Sequence, residues 1–195
     1  MKNLSLILFL CLSLSAYSQK LKLVEGDVSA LKGQMSVAIE FKYDNMIVGK
    51  MSEADYVAKK KGEYNKKEAG KGDKWEAEWT GNREDKYEPS FKEKFAKFSN
   101  MATPSDGPDY TLIFKTVKTE PGYNIGIKSE PAYIDAEVWL VETKNKDKAL
   151  AKITIMKSPG SAIFGNEFDT AARLQEAYAM AGMELGGFIQ GKVRQ

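Results

Sequence analysis

Tyr133, Asp135, Glu137 and Trp139 occupy alternate positions of one strongly patterned segment. In an extended chain alternate side chains share a face, so the two carboxylates stand roughly 6.5–7 Å apart at their Cα atoms, flanked by two aromatic rings. A pair of carboxyl groups placed about a glycosidic bond hydrolyses it, one as general acid and the other as base or nucleophile. One reading is therefore a carboxylate-based hydrolase acting on envelope or environmental polysaccharide, with Asp135 and Glu137 as its catalytic pair. The other is a solvated strand face whose charges meet cross-strand partners such as Lys152.

Trp75 and Trp79 are four residues apart, which places both rings on one side of a helix. Together with Tyr133 and Trp139 they are the candidate binding residues. An exposed indole pair would form a sugar-stacking platform, whereas a buried pair would be core. Seven lysines crowd the same region: Lys59, Lys60, Lys61, Lys66, Lys67, Lys71 and Lys74. Glu63, Glu68 and Asp73 interleave with them, so they read either as contacts for a polyanion or as a solvated helix face. Gly160 to Gly165 has the spacing of a phosphate loop, but Asn166-Glu167 stands where such a loop needs Lys followed by Ser or Thr. It reads as an ordinary strand-to-helix connection.

What is missing restricts the chemistry further. The chain has no histidine and a single cysteine, Cys11. Ser-His-Asp and Cys-His relays are thereby excluded. No EF-hand-type calcium loop is present, and no metal site or cofactor is expected. The 29 basic and 27 acidic side chains nearly balance, which gives no electrostatic argument for nucleic acid.

Lys2, the apolar run Leu4 to Leu14 and the small-x-small triplet Ala16-Tyr17-Ser18 have the order of a secretory signal. Residues 1–18 are expected to be cleaved, and the protein to be periplasmic or extracellular. Lipidation at Cys11 is the alternative. It is disfavoured by Leu10, where lipoprotein signals carry a small residue, and by the apolar run continuing through Leu12 and Leu14. The run falls short of the about 20 residues that span a bilayer, and no later segment is long and apolar enough to do so.

These side chains need a scaffold. Met35 to Tyr43 alternates strictly and predicts a half-buried strand. Ser52 with Asp55 three residues later predicts a helix start, with Met51 and Tyr56 at the staple positions. Asp73 predicts the start of a second helix, and Pro89 suits the first turn of a third, whose stripe is Phe91, Phe95 and Phe98. Three alternating strands follow, over Tyr110–Thr119, Ala132–Val141 and Leu150–Lys157. The loop between the first two opens on a Pro121-Gly122 turn, with a short strand expected at Asn124–Lys128. A last helix from about Phe168 to Gln190, capped by Asn166 or Asp169, carries the stripe Leu174, Tyr178, Ala181, Leu185 and Phe188. Gly182 and Gly186 beside it are expected to let this helix approach a sheet. The reading is a single α+β domain over residues 19–195, with a helical region at 52–99. It is a two-layer arrangement, a mostly antiparallel sheet with helices packed on one face, in the order β-α(α)-β-β-β-α.

The Ala-Tyr-Ser ending of the signal is similar to that of exported proteins of the Bacteroidetes. Met46 to Ala54, Thr119 to Asn124, Phe168-Asp169-Thr170 and Gln175 to Tyr178 resemble an uncharacterised secreted family of that phylum, which implies no activity. Asp169-Thr170-Ala171 matches the tripeptide such proteins use for O-glycosylation, making Thr170 a candidate modification site; the same residues would also serve as a helix cap. The element order is similar to that of the TolB amino-terminal and curli-secretion lipoprotein type of α/β domain, which implies an envelope or assembly role. The expectation is an exported, non-enzymatic binding or assembly module. Its partner would be an envelope protein, a glycan, or further copies of the chain.

Overall fold

A computed structural model describes residues 20–125, 128–160 and 169–194. Residues 1–18, where the export signal is expected, and all but the first residue of the Gly160 to Gly165 stretch, lie outside them.

Chain order is as follows. Strand β1 (Lys20–Gly26), β2 (Ala38–Lys42), β3 (Ile47–Val48) and β4 (Met51–Ser52) come first. Helices α1 (Glu53–Asn65), α2 (Lys71–Asn82) and α3 (Glu88–Ser99) follow, then β5 (Tyr110–Glu120), β6 (Tyr123–Ile125), β7 (Lys128–Glu130), β8 (Ala132–Glu142), β9 (Asn145–Gly160) and α4 (Thr170–Val193). The fold is the expected mixed, mostly antiparallel sheet with helices against it, but the main sheet has seven strands. Its path runs β1-β9-β8-β5-β3-β4, with β2 also pairing β5. β6 and β7 form a separate hairpin within the loop after Pro121-Gly122.

β2 and β3 share one edge of β5: Ala38–Lys42 lies beside Thr111–Lys115, and Ile47–Val48 beside Lys118–Thr119. Both pairings are parallel, because α1, α2 and α3 intervene and supply the long crossover that parallel neighbours require. The other pairings join strands antiparallel.

The expected alternation in β8 is realised. Ala132, Ile134, Ala136, Val138 and Leu140 are all buried on the helical side. Phe114 and Leu112 of β5 and Ile153 and Ile155 of β9 join them, under Phe91, Phe95, Leu174, Tyr178 and Leu185. Tyr178 shares a 2.7 Å hydrogen bond with Thr116 and stacks on Tyr87. Burial pushes the Tyr178 and Tyr87 phenols above the ordinary tyrosine value.

The helical region departs from expectation in two places. Asp73 does not cap α2. The helix starts at Lys71 behind Gly70, and the Asn65 side-chain oxygen accepts the Gly72 N–H at 2.7 Å. Nor does a new helix begin near Pro89: α2 runs into α3 through a π turn at Arg83–Tyr87, where the Glu88 N–H bonds back to the Arg83 carbonyl. A register slip of this kind absorbs the donor that Pro89 lacks. Gly182 also acts differently. A Cβ there would stand 2.3 Å from the Phe91 carbonyl oxygen, so the small residues of α4 admit α3, not the sheet. The sheet side of α4 is tied by the Ser158 hydroxyl, which donates to the Ala177 carbonyl at 2.7 Å.

Candidate functional site

The structure separates the candidate residues into two regions. The first is the face of β5, β8 and β9 away from the helices, which holds Tyr133, Asp135, Glu137 and Trp139. Register sets Glu137 opposite Lys115 on one side and Thr154 on the other. Its carboxylate pairs with Lys152 at 3.1 Å, as the solvated-face reading expects. Lys152 also lies over the Trp139 ring. Lys115 is engaged by Asp44 at 2.5 Å, and that contact holds the Asp44 carboxyl below its usual value.

Asp135 has a local task. The β8–β9 register jumps between Ile134 and Ala136, leaving a bulge in β9 where Lys157 takes a left-handed conformation with φ 55°. The Lys157 N–H donates to Asp135 Oδ1 at 2.7 Å. A bulge leaves a backbone group without a ladder partner, and Asp135 supplies one. The residue is only 8% exposed. Tyr133, at 8%, is more covered than a solvated face implies: Lys118 donates to its hydroxyl at 2.9 Å, and the ammonium groups of Lys118 and Lys157 lie 5.2 and 5.9 Å from its ring centroid. Cationic groups thus face the aromatic rings.

The second region is concave. Trp75 and Trp79 stack with centroids 5.6 Å apart and planes at 27°. Tyr64 lies 5.7 Å from Trp75, and Tyr56 lies 5.3 Å from Trp79 and 6.1 Å from Trp75. Trp79 is the core member of the pair, buried to 8%, while Trp75 is half-buried. Tyr64, Trp75, Trp79 and Tyr87 line a cleft of about 210 Å³, with Glu78, Asn82, Asp169, Thr170 and Ala171 completing it. Two candidates from distant parts of the chain, the indole pair and Thr170, therefore meet. Thr170 lies there because Asp169 caps α4, accepting the N–H groups of Ala171 and Ala172 at 2.9 and 3.2 Å.

A charged network behind the rings fixes them. The Trp79 Nε1–H donates to Glu53 Oε1 at 2.6 Å, and the same carboxylate oxygen takes Arg83. The Arg83 guanidinium sits 4.2 Å above the Tyr43 ring, and the Tyr43 hydroxyl donates to Glu88 at 3.1 Å. Burial raises the Tyr43 phenol far above its ordinary value and raises the Glu88 carboxyl above the usual glutamate range. Tyr56 is pushed up to about 12, chiefly by burial, so its hydroxyl stays protonated.

Beyond Tyr56 the surface opens into a second hollow of about 330 Å³. It is floored by Val48, Met51, Tyr56 and Pro121, with Lys50, Lys59, Lys60, Glu120 and Tyr123 around it. Gly122 closes the turn on this side, since its φ of 69° and a Cβ that would meet the Ala132 nitrogen at 2.6 Å both require glycine. Farther away, Leu21, Phe98, Met183, Glu184, Gly187 and Phe188 line a groove of about 580 Å³, and the Tyr43–Ile47 segment with Ser52–Ala54 lines one of about 540 Å³. Neither Asp135 nor Glu137 lines any of these four cavities.

Most of the lysine cluster is paired: Lys60 with Glu63, Lys61 with Asp73 and Glu76, Lys71 with Glu68, and Lys74 with Glu78. Among the described residues no group of three or more Cys, Asp or Glu side chains gathers to hold a metal ion, and no helix is long and apolar enough to cross a membrane.

Tyr64, Asn82 and Tyr87, which line the cleft, and Tyr56, which packs on its indoles, were missed as site residues by sequence reasoning. Tyr56 and Tyr64 lie about two helical turns apart, a spacing that could have marked them. Tyr87 and Asn82 join through the π turn and the docking of α4, for which no local signal exists.

No family model matches this chain, and no curated protein matches it. Among solved structures, a PelC dodecamer from Paraburkholderia phytofirmans aligns over 84% of this chain and 96% of that chain, at 9% identity and a TM-score of 0.37. A leucine-to-methionine variant of the same dodecamer aligns over the same shares at 7% identity and the same TM-score. The resemblances to a secreted Bacteroidetes family and to the TolB or curli-secretion type of domain find no support in these comparisons.

Proposed function

We propose that the chain is an exported, non-enzymatic module that binds carbohydrate in the Trp75–Trp79 cleft. Export rests on the order of Lys2, the Leu4 to Leu14 run and Ala16-Tyr17-Ser18. The observation that carries the binding reading is the meeting of a stacked indole pair and Tyr64 with a polar rim of Glu78, Asn82 and Thr170 in one concavity. Aromatic faces cover the C–H faces of a sugar ring, and a few polar groups at the margin fix its hydroxyls. The non-enzymatic part rests on how the two candidate catalytic carboxylates are used: Asp135 holds a backbone bulge and Glu137 is ion-paired on a sheet face.

Tryptophan fluorescence tests this. The chain has three tryptophans. With Trp139→Phe, both remaining indoles report on the cleft. Titration with neutral and acidic oligosaccharides should give saturable quenching by at least one class. Trp75→Ala and the milder, still apolar Trp75→Leu should weaken that binding at least tenfold while far-UV circular dichroism stays unchanged. Absence of quenching by any oligosaccharide, or binding indifferent to both substitutions, would overturn the reading.

A further inference from the structure

Trp75, Glu78, Trp79 and Asn82 stand at i, i+3, i+4 and i+7 of α2, so one stripe of the helix gives the cleft two rings and two polar groups. Residues four apart lie one turn apart on a helix, which sets the Glu78 carboxylate beside the Asn82 amide. The Asn82 side chain caps no helix and, among the described residues, has no hydrogen-bond partner. Glu78 meets Lys74 at 3.9 Å, a contact between two exposed side chains. A contact that loose and exposed leaves the carboxylate able to accept other bonds.

The start of α4 supplies the rest of the polar lining. The Arg173 guanidinium donates to Thr170 Oγ1 at 3.2 Å and to the Pro121 carbonyl at 3.0 Å. That bond uses a lone pair of the Thr170 oxygen and leaves the hydroxyl hydrogen to donate elsewhere. Asp169 Oδ1 takes the N–H groups of Ala171 and Ala172, so this helix end already has its anion and offers little to a second. Two of the described lining residues, Glu78 and Asp169, are acidic and none is basic. Lys67 lies outside the lining, 5.8 Å from the Tyr64 ring centroid.

We infer that the cleft selects a sugar by its free hydroxyls and rejects rings bearing carboxylates. Glu78 and Asn82 take adjacent hydroxyls of a ring stacked on Trp75, and Thr170 donates to a third oxygen. The inference rests on the carbohydrate reading above and adds what decides which sugars enter. Hydroxyls both donate and accept, so a neighbouring pair of them serves a carboxylate, which only accepts, and an amide, which does both. An O-methylated sugar has no hydrogen to give and would leave these acceptors desolvated and unserved. A carboxylate on the sugar would meet the like charges of Glu78 and Asp169, a repulsion that discriminates without any new contact. Part of that repulsion is open to solvent, so it must weaken with salt.

The Trp139→Phe chain is titrated with cellotetraose and maltotetraose, with their O-methylated forms, and with their C6-oxidised forms, which carry carboxylates, at low and high salt. At least one unmodified sugar should quench, and both of its derivatives should bind about tenfold more weakly at low salt. High salt should narrow the gap to the acid and leave the gap to the O-methylated form. Glu78→Gln keeps an acceptor and removes a charge, so it should narrow the gap to the acid and leave the unmodified sugar within about twofold. Asn82→Ala should weaken the unmodified sugar about fivefold or more and leave the gap to the acid in place. Either derivative binding as tightly as its parent, or a gap to the acid untouched by both salt and Glu78→Gln, overturns this inference and leaves the carbohydrate reading standing. So does quenching by acidic oligosaccharides alone. Quenching by no oligosaccharide of any charge overturns both.

Discussion

The sheet face around Asp135 and Glu137 and the cleft around Trp75 hold the same kinds of side chain, yet they differ in what those side chains are free to do. On the sheet face the polar groups named here have partners close by. Glu137 meets Lys152, Lys115 meets Asp44, and Lys118 bonds Tyr133. Neither Asp135 nor Glu137 lines one of the four cavities described above. In the cleft, aromatic rings from α1 and α2 meet the start of α4, and a concavity remains between them. Glu53 and Arg83 lie behind the rings and hold them, while Glu78 and Asp169 line the cleft itself. The contrast teaches that composition alone does not mark a site. Two carboxylates and two aromatics admit an active-site reading in sequence, and in space Glu137 is ion-paired and Asp135 holds a bulge.

Substitutions sharpen this contrast. The largest expected effect is from Trp79→Ala, which removes a buried ring and the partner of Glu53, and should cost about 3–5 kcal/mol. Trp139→Ala removes a half-buried ring lying under Lys152 and should cost only about 1–2 kcal/mol. Urea denaturation of both variants measures the difference; equal losses would erase the distinction between a ring that builds the cleft and one that decorates a face.

A smaller effect concerns pH. Burial raises the Glu88 carboxyl even though Tyr43 donates to it. The folded chain then holds that proton more tightly than the unfolded chain does. The resulting stability is complete below the ordinary glutamate value of about 4.3 and is lost as pH rises through the raised one. Glu88→Gln removes this contribution. The stability of the wild type minus that of the variant should therefore fall between about pH 4 and the raised value, as read from urea midpoints across the acidic range. A difference that stays flat would show that Glu88 is not desolvated behind the cleft.

Much of the fold was legible because it is written in local periodicity. Strands β5, β8 and β9 follow from strict alternation at Tyr110–Thr116, Ala132–Leu140 and Ala151–Ile155, and α1 from Ser52 with Asp55. The parallel edge of β2 and β3 on β5 was not, because it depends on how three helices cross back. Nor was the extension of β9 to Asn145: its polar end pairs through the backbone, to which side-chain polarity is indifferent. The same holds for the site. Trp75 and Trp79 stand out by spacing, and Thr170 by its neighbours. Their meeting requires α4 to dock beside α2, and Gly182 admits α3 against α4 by a backbone contact that no pattern in either helix announces.

The most direct measurement of the central claim sets the two regions against each other on one substrate. The oligosaccharide that quenches the cleft tryptophans is incubated with the wild type, with Trp75→Leu, and with Asp135→Asn combined with Glu137→Gln. The amide oxygen at position 135 keeps an acceptor for the Lys157 N–H, so the double variant should fold. Binding and release of reducing ends are followed together. The account predicts no release by any of the three, wild-type affinity in the double variant, and affinity lowered at least tenfold in Trp75→Leu. Reducing ends released by the wild type and abolished in the double variant, with Trp75→Leu still active, would contradict it and make the sheet face the functional site.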